Sequence, residues 1–566
     1  MTGLSGSTDV FEDIFMRAWR PYAWIAAAII LLYSKSLWFG YTYLDDHLLI
    51  MKNHDFIRDL SNAGAAFFQK VFPKSYLPYY RPVLILSFMF DARLADNSLF
   101  VYHATNIAIH IAASGLVFLF LTKLGYGREL SFFFSAIFAV HPVLSQGVAW
   151  IPGRNDTLLA VFALASFIFF MEFLKSGKAM SYVWSLLFFV VALFTKETAL
   201  VLIFMFIIYM HTIAAEKLFS PRGRLLAAGW LAAAMAWWCV RENAMTASKT
   251  MNVYEMGSLI VAYLPAALQF LGKIFFPFNL SVFPIIADTT FGYGAAAAAL
   301  VAAALVFTKP KRYNFMLFGA SWAILFLLPS LIRANTKFAA DFIEHRLYVP
   351  IIGCIILLCE THAVRALERH KTAMRTFAIA VILVFSAITF RHIDNFADRF
   401  AFWRNAVTTS PHSSFAHMAL GIACHDNAMI DEAAAEYGKC LALDPLEPGS
   451  RYGLGDIYLR KGMIGKAEQE MKKTIAVYPG HENAYLALGV MYYRSGRLKE
   501  AEEMWKRAIS INPDNARAYK DLAIYYYELK EYQKAADCVR RLREMGLQVP
   551  GSFLRSLAAA GKEQAQ

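Results

Sequence analysis

Long apolar runs broken by short polar turns follow one another from residue 21 to about 390, and then stop. A helix needs roughly 20 apolar residues to cross a bilayer core. Runs near that length lie at 22–40, 100–122, 129–150, 157–174, 181–195, 197–215, 225–240, 258–277, 291–308, 314–332, 347–362 and 373–390. They are continuous rather than alternating, which predicts helices, because backbone groups in lipid must be bonded within their own segment. The run at 258–277 is the weakest, since it carries Pro265, Gln269 and Lys273.

From about 411 the pattern becomes a repeat. Pro411, Pro445, Pro479 and Pro513 stand 34 residues apart, with Leu420-Gly421, Leu454-Gly455 and Leu488-Gly489, then Ala433, Ala467, Ala501 and Ala535, in register between them. Tyr458, Tyr492 and Tyr526 keep a further position. This is the tetratricopeptide (TPR) period, in which two helices pack through small residues and each pair buries its apolar face on the next. The expected fold is all-α: a polytopic helical membrane unit followed by an α-solenoid. Its parts are a segment 1–20, a membrane domain 21–390 with a loop at 41–99, a linker 391–410, about four repeats over 411–550, and a frayed tail at 551–566.

Composition agrees with a membrane protein. Of the 566 residues 58% are hydrophobic and only 17% charged, with a mean hydropathy of +0.41. That excludes a soluble globular enzyme and a disordered chain. The net charge is +12, but residues 411–566 hold 21 Lys and Arg against 20 Asp and Glu, so +11 belongs to the apolar part. Cationic cytoplasmic loops account for this better than a nucleic-acid surface, and no nucleic-acid partner is expected. The six cysteines form no CxxC or Cys/His spacing.

Orientation follows from the basic loops. Arg17 and Arg20, Lys123 and Arg128, Lys175 and Lys178, Lys217 to Arg224, Lys309 to Arg312, and Arg365 to Arg375 all fit the cytoplasmic side. Loops 41–99, 141–156 and 333–346, and everything after 391, then lie outside. Twelve crossings would break this assignment and eleven satisfy it, so 258–277 is expected at the interface or as a re-entrant segment.

Charges at membrane depth cost at least a few kcal/mol and need a reason. Here they gather on the outer side: Asp45-Asp46, Tyr80-Arg81, His103 and His110, His141 and Arg154-Asn155-Asp156, Lys196-Glu197, and Glu344-His345-Arg346 with Tyr348. Each has a plain structural reading as a cap, a boundary ion pair or a core histidine. Together they supply carboxylates able to take a proton from a hydroxyl nucleophile and cations suited to phosphate oxygens. Metal need is open: Asp45-Asp46 lacks a clear third ligand, although octahedral oxygen sites suit Mg or Mn.

The acidic pair followed by YRPV, YHATNIAIH, HPVLSQGVAW with GRNDTLLA, TKETA and EHRLYVP, with TPRs after the last helix, resembles the transmembrane-and-TPR O-mannosyltransferase-like (TMTC) family of GT-C membrane glycosyltransferases. The resemblance covers nearly the whole chain in order. It implies a GT-C-like domain of about 11 spanning helices that moves a sugar from a polyprenyl-phosphate carrier to protein hydroxyls outside the cytoplasm. Asp45 and Asp46 match the family's acidic motif, so the resemblance makes one of them the expected catalytic base. Arg81, Arg154, Lys196 and Arg346 are the expected donor phosphate ligands. Tyr80, His103, His141, Asp156, Glu197, Glu344 and Tyr348 are expected in support. Expected partners are the bilayer, a lipid-linked sugar donor and an acceptor polypeptide held by the TPR groove. Gln146 and His345 depart from the family, which often has Glu and Arg there. The short TPR array favours a bacterial inner membrane, with the TPRs periplasmic, over an endoplasmic reticulum membrane with lumenal TPRs. A non-catalytic TPR scaffold and a lipid-linked sugar transporter are the alternative functions.

Overall fold

The computed structural model describes residues 11–71, 79–96, 98–245, 253–309, 312–332 and 342–565. Loop residues 333–341 and Lys311, both used above to orient the chain, lie outside them. The described residues are helical and contain no strand. They divide into two compact units, Met1–Ser410 and Pro411–Gln566.

Each apolar run of the first unit holds a helix, but the helices differ in length. Among the described residues six are long and apolar enough to cross a membrane, or up to eight if each of two bent pairs counts as one span, against the expected eleven or so. Others are stopped short by polar turns. Arg128–Val140 ends at His141-Pro142, and Pro350–Cys359 bends by 63° into His362–Arg369 at Glu360-Thr361. Helices Leu99–Lys123 and Arg154–Ser176 form the centre of the bundle. The apolar window of Ile151–Ser176 is 72% buried, whereas that of Lys371–Phe396 is 17% buried and presents its apolar side outward. Aromatic rings join the central helices: Phe167 packs on Phe120, Phe206 and Trp322, and Phe206 stacks on Trp230.

Polar contacts gather the helix ends into two groups. At one end Arg128 donates to the carbonyls of Met16 and Ala18, Arg375 pairs with Glu129, and buried Glu360 takes Tyr126, Arg312 and Arg365. At the other, Gly40 donates to the Ala397 carbonyl, Trp150 to Thr42, and Val282 to Asn405. Of the cations assigned to the cytoplasm, Arg128, Arg312, Arg365 and Arg375 belong to the first end, and the acidic pair to the second.

Segment 258–277 is one continuous helix, Val253–Phe275, long and apolar enough to cross a membrane despite Pro265. Neighbouring helices can re-satisfy the group that a proline frees. Yet both flanks meet the second end. Arg241, near the end of the preceding helix Pro221–Ala244, places its charge by Glu197, and Lys273 pairs with Glu344. The loop 41–99 is not open chain. It contains helix Pro82–Ala95, whose proline sits at the favoured first position and whose apolar face buries Leu84, Ile85, Phe88 and Met89. At 14 residues it is too short to span and so does not register as a membrane run.

The second unit is four helix pairs: Ser414–Asp426 with Ile430–Leu443, Pro448–Arg460 with Ile464–Val477, Glu482–Arg494 with Leu498–Ile511, and Ala516–Glu528 with Tyr532–Glu544. Gly421 lies on the Tyr437 ring, Gly455 on Met471 and Gly489 on Trp505, where a Cβ would collide. The first helices are capped at one repeat position, by Ser413, Glu447, His481 and Asn515. The intervening turns put Ala428, Gly462, Gly496 and Lys530 at positive φ, again in register. Residues 551–566, expected as a frayed tail, instead hold helix Gly551–Ala565. Phe553 and Leu557 in it cover the apolar face that the fourth pair would otherwise leave bare.

Candidate active site

The acidic pair separates into two roles. Asp46 is 1% exposed and accepts from the backbone N–H groups of Thr42 (2.6 Å), Tyr43 (2.8 Å) and His47 (2.9 Å) and from the Thr42 hydroxyl (3.0 Å). It closes the turn that contains Tyr43 at φ 62°. Burial pushes its carboxyl up against these hydrogen bonds. Asp45, half buried beside it, is pushed up to about 6, first by burial and then by the charge of Asp46, with Arg81 opposing. The loop thus claims Asp46, and Asp45 stands beside it outside that hydrogen-bonded turn.

Arg81 sits immediately before helix Pro82–Ala95 with its guanidinium 4.6 Å above the Tyr79 ring and 3.6 Å from Glu197. Lys196 ends helix Ala179–Thr195 and donates to Asp156 at 2.7 Å. The second Asp156 oxygen faces His345 Nε2 at 3.6 Å. Burial drives the His345 imidazole down to about 3, so it is neutral near pH 7. Its ring lies 5.4 Å from Trp150, and its backbone N–H donates to Gln146. Arg346 follows on the same turn and donates to the Ser330 carbonyl at 2.7 Å. Residues distant in sequence thus form one chain, charged from Asp45 through Arg81 and Glu197 to Lys196 and Asp156 and ending on the neutral His345 ring. Three buried polar atoms in it, Arg81 Nε, Asp156 Oδ2 and His345 Nδ1, have no hydrogen-bond partner among the described residues.

Other expected site residues go elsewhere. Arg154, expected on the donor phosphate, is fully buried and already committed. It pairs with Asp91 at 2.6 Å, both side chains 0% exposed, and donates to Asn106, the Tyr102 carbonyl and Ser87. Four of the five N–H groups of that fork are thereby engaged inside the protein. Tyr80 donates to the Phe67 carbonyl at 2.8 Å. His110 is bonded to Tyr348 at 2.5 Å and to the Ala139 carbonyl at 2.9 Å. His141 bonds the Ile274 carbonyl and caps its own turn. His103 is buried against Phe39, its ring edge-on to the Phe39 ring. Glu344 turns to Lys273 and His392, whereas His345 turns to Asp156. Burial raises its carboxyl, but Lys273 and His392 outweigh that and hold it low.

Sequence reading missed Asp91, Arg241, Lys273 and His392. Asp91 lies in a run that reads as apolar. Lys273 was visible as an odd cation in an apolar helix, a signal that it needs a buried acid. Among the described residues no three His, Cys, Asp or Glu side chains are grouped to hold a metal. The carboxylate of Asp46 is occupied by its own loop, so the pair offers one available oxygen ligand, Asp45. That set does not fit an Mg or Mn site.

Residues 480–547 match the tetratricopeptide repeat family. A Caenorhabditis elegans protein named protein O-mannosyl-transferase F38B6.6 is 25% identical over 382 residues, covering 65% of this chain and 54% of its own. Mouse protein O-mannosyl-transferase TMTC1 is 31% identical over 169 residues, 28% of this chain and 17% of its own. Human protein O-mannosyl-transferase TMTC3 is 29% identical over 168 residues, 28% of this chain and 18% of its own. The chain is similar to these O-mannosyl-transferases, TMTC proteins among them. It spans about half the length of the nematode relative and under a fifth of the mammalian ones. The coarse reading of the sequence, an all-α TMTC-like membrane protein with TPRs, stands.

Proposed function

We propose that this protein transfers a sugar, mannose by analogy with its named relatives, from a polyprenyl-phosphate carrier to Ser or Thr hydroxyls of a polypeptide on the periplasmic or lumenal side. The observation that carries this reading is the set of unsatisfied donors and acceptors between Arg81, Asp156 and His345, next to a carboxylate with a raised pKa. Buried polar groups are ordinarily paired, so such a set marks a ligand position.

In the proposed reaction the acceptor hydroxyl oxygen attacks the anomeric carbon. The bond from that carbon to the phosphate oxygen breaks, and its electron pair leaves with the lipid phosphate. The hydroxyl proton passes to Asp45. Arg81 and Lys196, with Arg346 beside them, offset the charge that grows on the phosphate. Preorganised cations in a water-poor site supply several kcal/mol this way. Glu197 and Asp156 hold those cations in place before the donor arrives. One displacement inverts the anomeric centre. The TPR groove recruits the acceptor polypeptide, as extended concave repeat surfaces do.

The test is transfer from a polyprenyl-phosphate sugar to a Ser/Thr peptide by the purified chain in vesicles, measured against pH. Asp45 must be ionised to accept a proton, and its carboxyl sits at about 6. Below that value it is protonated. The expected kcat/KM is low at pH 5, rises through about pH 6 and is level above pH 7. A profile flat from pH 5 to 8 removes Asp45 as the base, and no transfer with any such donor removes the activity.

A further inference from the structure

Lys273 and Glu344 are each 1% exposed and lie 2.7 Å apart, 71 positions apart in the chain. The same Glu344 oxygen accepts from the Ser281 N–H at 2.8 Å, and Lys273 also donates to the Asn279 carbonyl at 2.6 Å. The other oxygen, Oε2, faces His392 Nε2 at 3.6 Å, and His392 is tied to Asn395 by its other ring nitrogen. Three separate elements therefore converge on one carboxylate: helix Val253–Phe275, the loop at 279–283, and the end of helix Lys371–His392. Gln146 adds a brace, accepting from the His345 N–H and donating to the Val282 carbonyl.

Glu344 begins a single 3-10 turn, Glu344–Leu347. With three residues per turn, Glu344 and Leu347 share the inward face, and His345 and Arg346 take the other two directions. His345 faces Asp156, and Arg346 faces the Ser330 carbonyl. A one-turn helix has little rigidity of its own, so the direction of these two side chains depends on what grips Glu344. A buried ion pair is weak as a stabiliser, since an apolar pair of like volume often does as well. Its geometric constraint is what an apolar pair lacks.

We propose that Lys273 and His392 are positioning residues for the donor phosphate. They grip Glu344, and so aim His345 and Arg346 into the phosphate position. This rests on the transfer reading above.

The test compares wild type, the charge-neutral double variant Lys273→Met with Glu344→Gln, the single variant Lys273→Arg, and His392→Gln. Each is measured for thermal midpoint in detergent, kcat, donor KM and acceptor KM. The double variant leaves no orphaned buried charge and is expected to melt near wild type. Its donor KM is expected to rise and its kcat to fall, together lowering kcat/KM for the donor roughly tenfold or more, with acceptor KM within about threefold. Lys273→Arg keeps the cation and is expected to recover most of the donor KM. His392→Gln is expected to shift donor KM in the same direction by a smaller factor, and it provides the reading should the double variant not fold. A donor KM unchanged in both, or kcat and both KM values worsening together with the melting point, overturns the proposal. Wild type that transfers nothing sinks the activity instead. In that case binding of sugar-free polyprenyl phosphate in micelles reads the same variants, with equal affinity in wild type, the double variant and His392→Gln as the refuting result.

Discussion

Asp45→Asn is expected to lower transfer by about 10²–10⁴-fold while leaving the melting point of the protein within a degree or two of wild type. The amide keeps the size of the side chain and removes its capacity to take a proton. Asp46→Asn is expected to do the reverse. Its carboxylate accepts three backbone N–H groups and a hydroxyl, and one amide oxygen cannot replace both carboxylate oxygens. A lost cap of this kind costs about 1–2 kcal/mol, so Asp46→Asn should melt lower and transfer at near wild-type rate per folded molecule. Parallel transfer assays and thermal melts in one detergent separate the two. If Asp46→Asn is the inactive, stable variant and Asp45→Asn the weakened, active one, the assignment of base and cap is reversed.

The second large effect is expected at Arg154. Arg154→Met would leave Asp91 buried without its cation, and Asp91→Leu would strand Arg154. Removing one partner of a fully buried pair costs about 3–5 kcal/mol, enough to empty the membrane of folded protein. The combined Arg154→Met, Asp91→Leu variant has no stranded charge and is expected to accumulate close to wild-type level and to retain transfer. Membrane abundance and melting point check this. Should Arg154→Met alone accumulate and melt like wild type, with only donor KM raised, then Arg154 is a phosphate ligand and the packing account given for it fails.

Much of the architecture is written in periodicity. The 34-residue register of Pro445, Pro479 and Pro513, and of the Leu-Gly pairs, can hardly mean anything but stacked helix pairs, and the apolar runs place the helices of the first unit. What periodicity cannot give is how far each helix extends. The stops at His141-Pro142 and Glu360-Thr361 are local polar turns inside apolar stretches. The site was legible as a set of polar residues in the wrong solvent, which is a physical signal that needs no alignment. Sorting that set was beyond the sequence. Arg154 and Arg81 look alike as single cations at loop ends, and only their surroundings separate them. Arg154 is enclosed by Asp91, Asn106 and two carbonyls, whereas Arg81 lies 3.6 Å from Glu197, with the charges of Asp45 and Asp156 acting on it from farther off. Asp45 and Asp46 were likewise indistinguishable until the turn at Thr42 and Tyr43 was seen to claim one of them. Gln146, which read as a departure at the chemistry, turns out to join two backbone strands of the chain behind it.

The central claim is sugar transfer to protein beyond the membrane. Its most direct test is mass spectrometry of glycopeptides from cells expressing the wild-type chain, Asp45→Asn, or neither. The account predicts a single sugar on Ser or Thr of exported proteins, present only with the wild-type chain. The same modified peptides appearing with Asp45→Asn, or confined to cytosolic proteins, would contradict it.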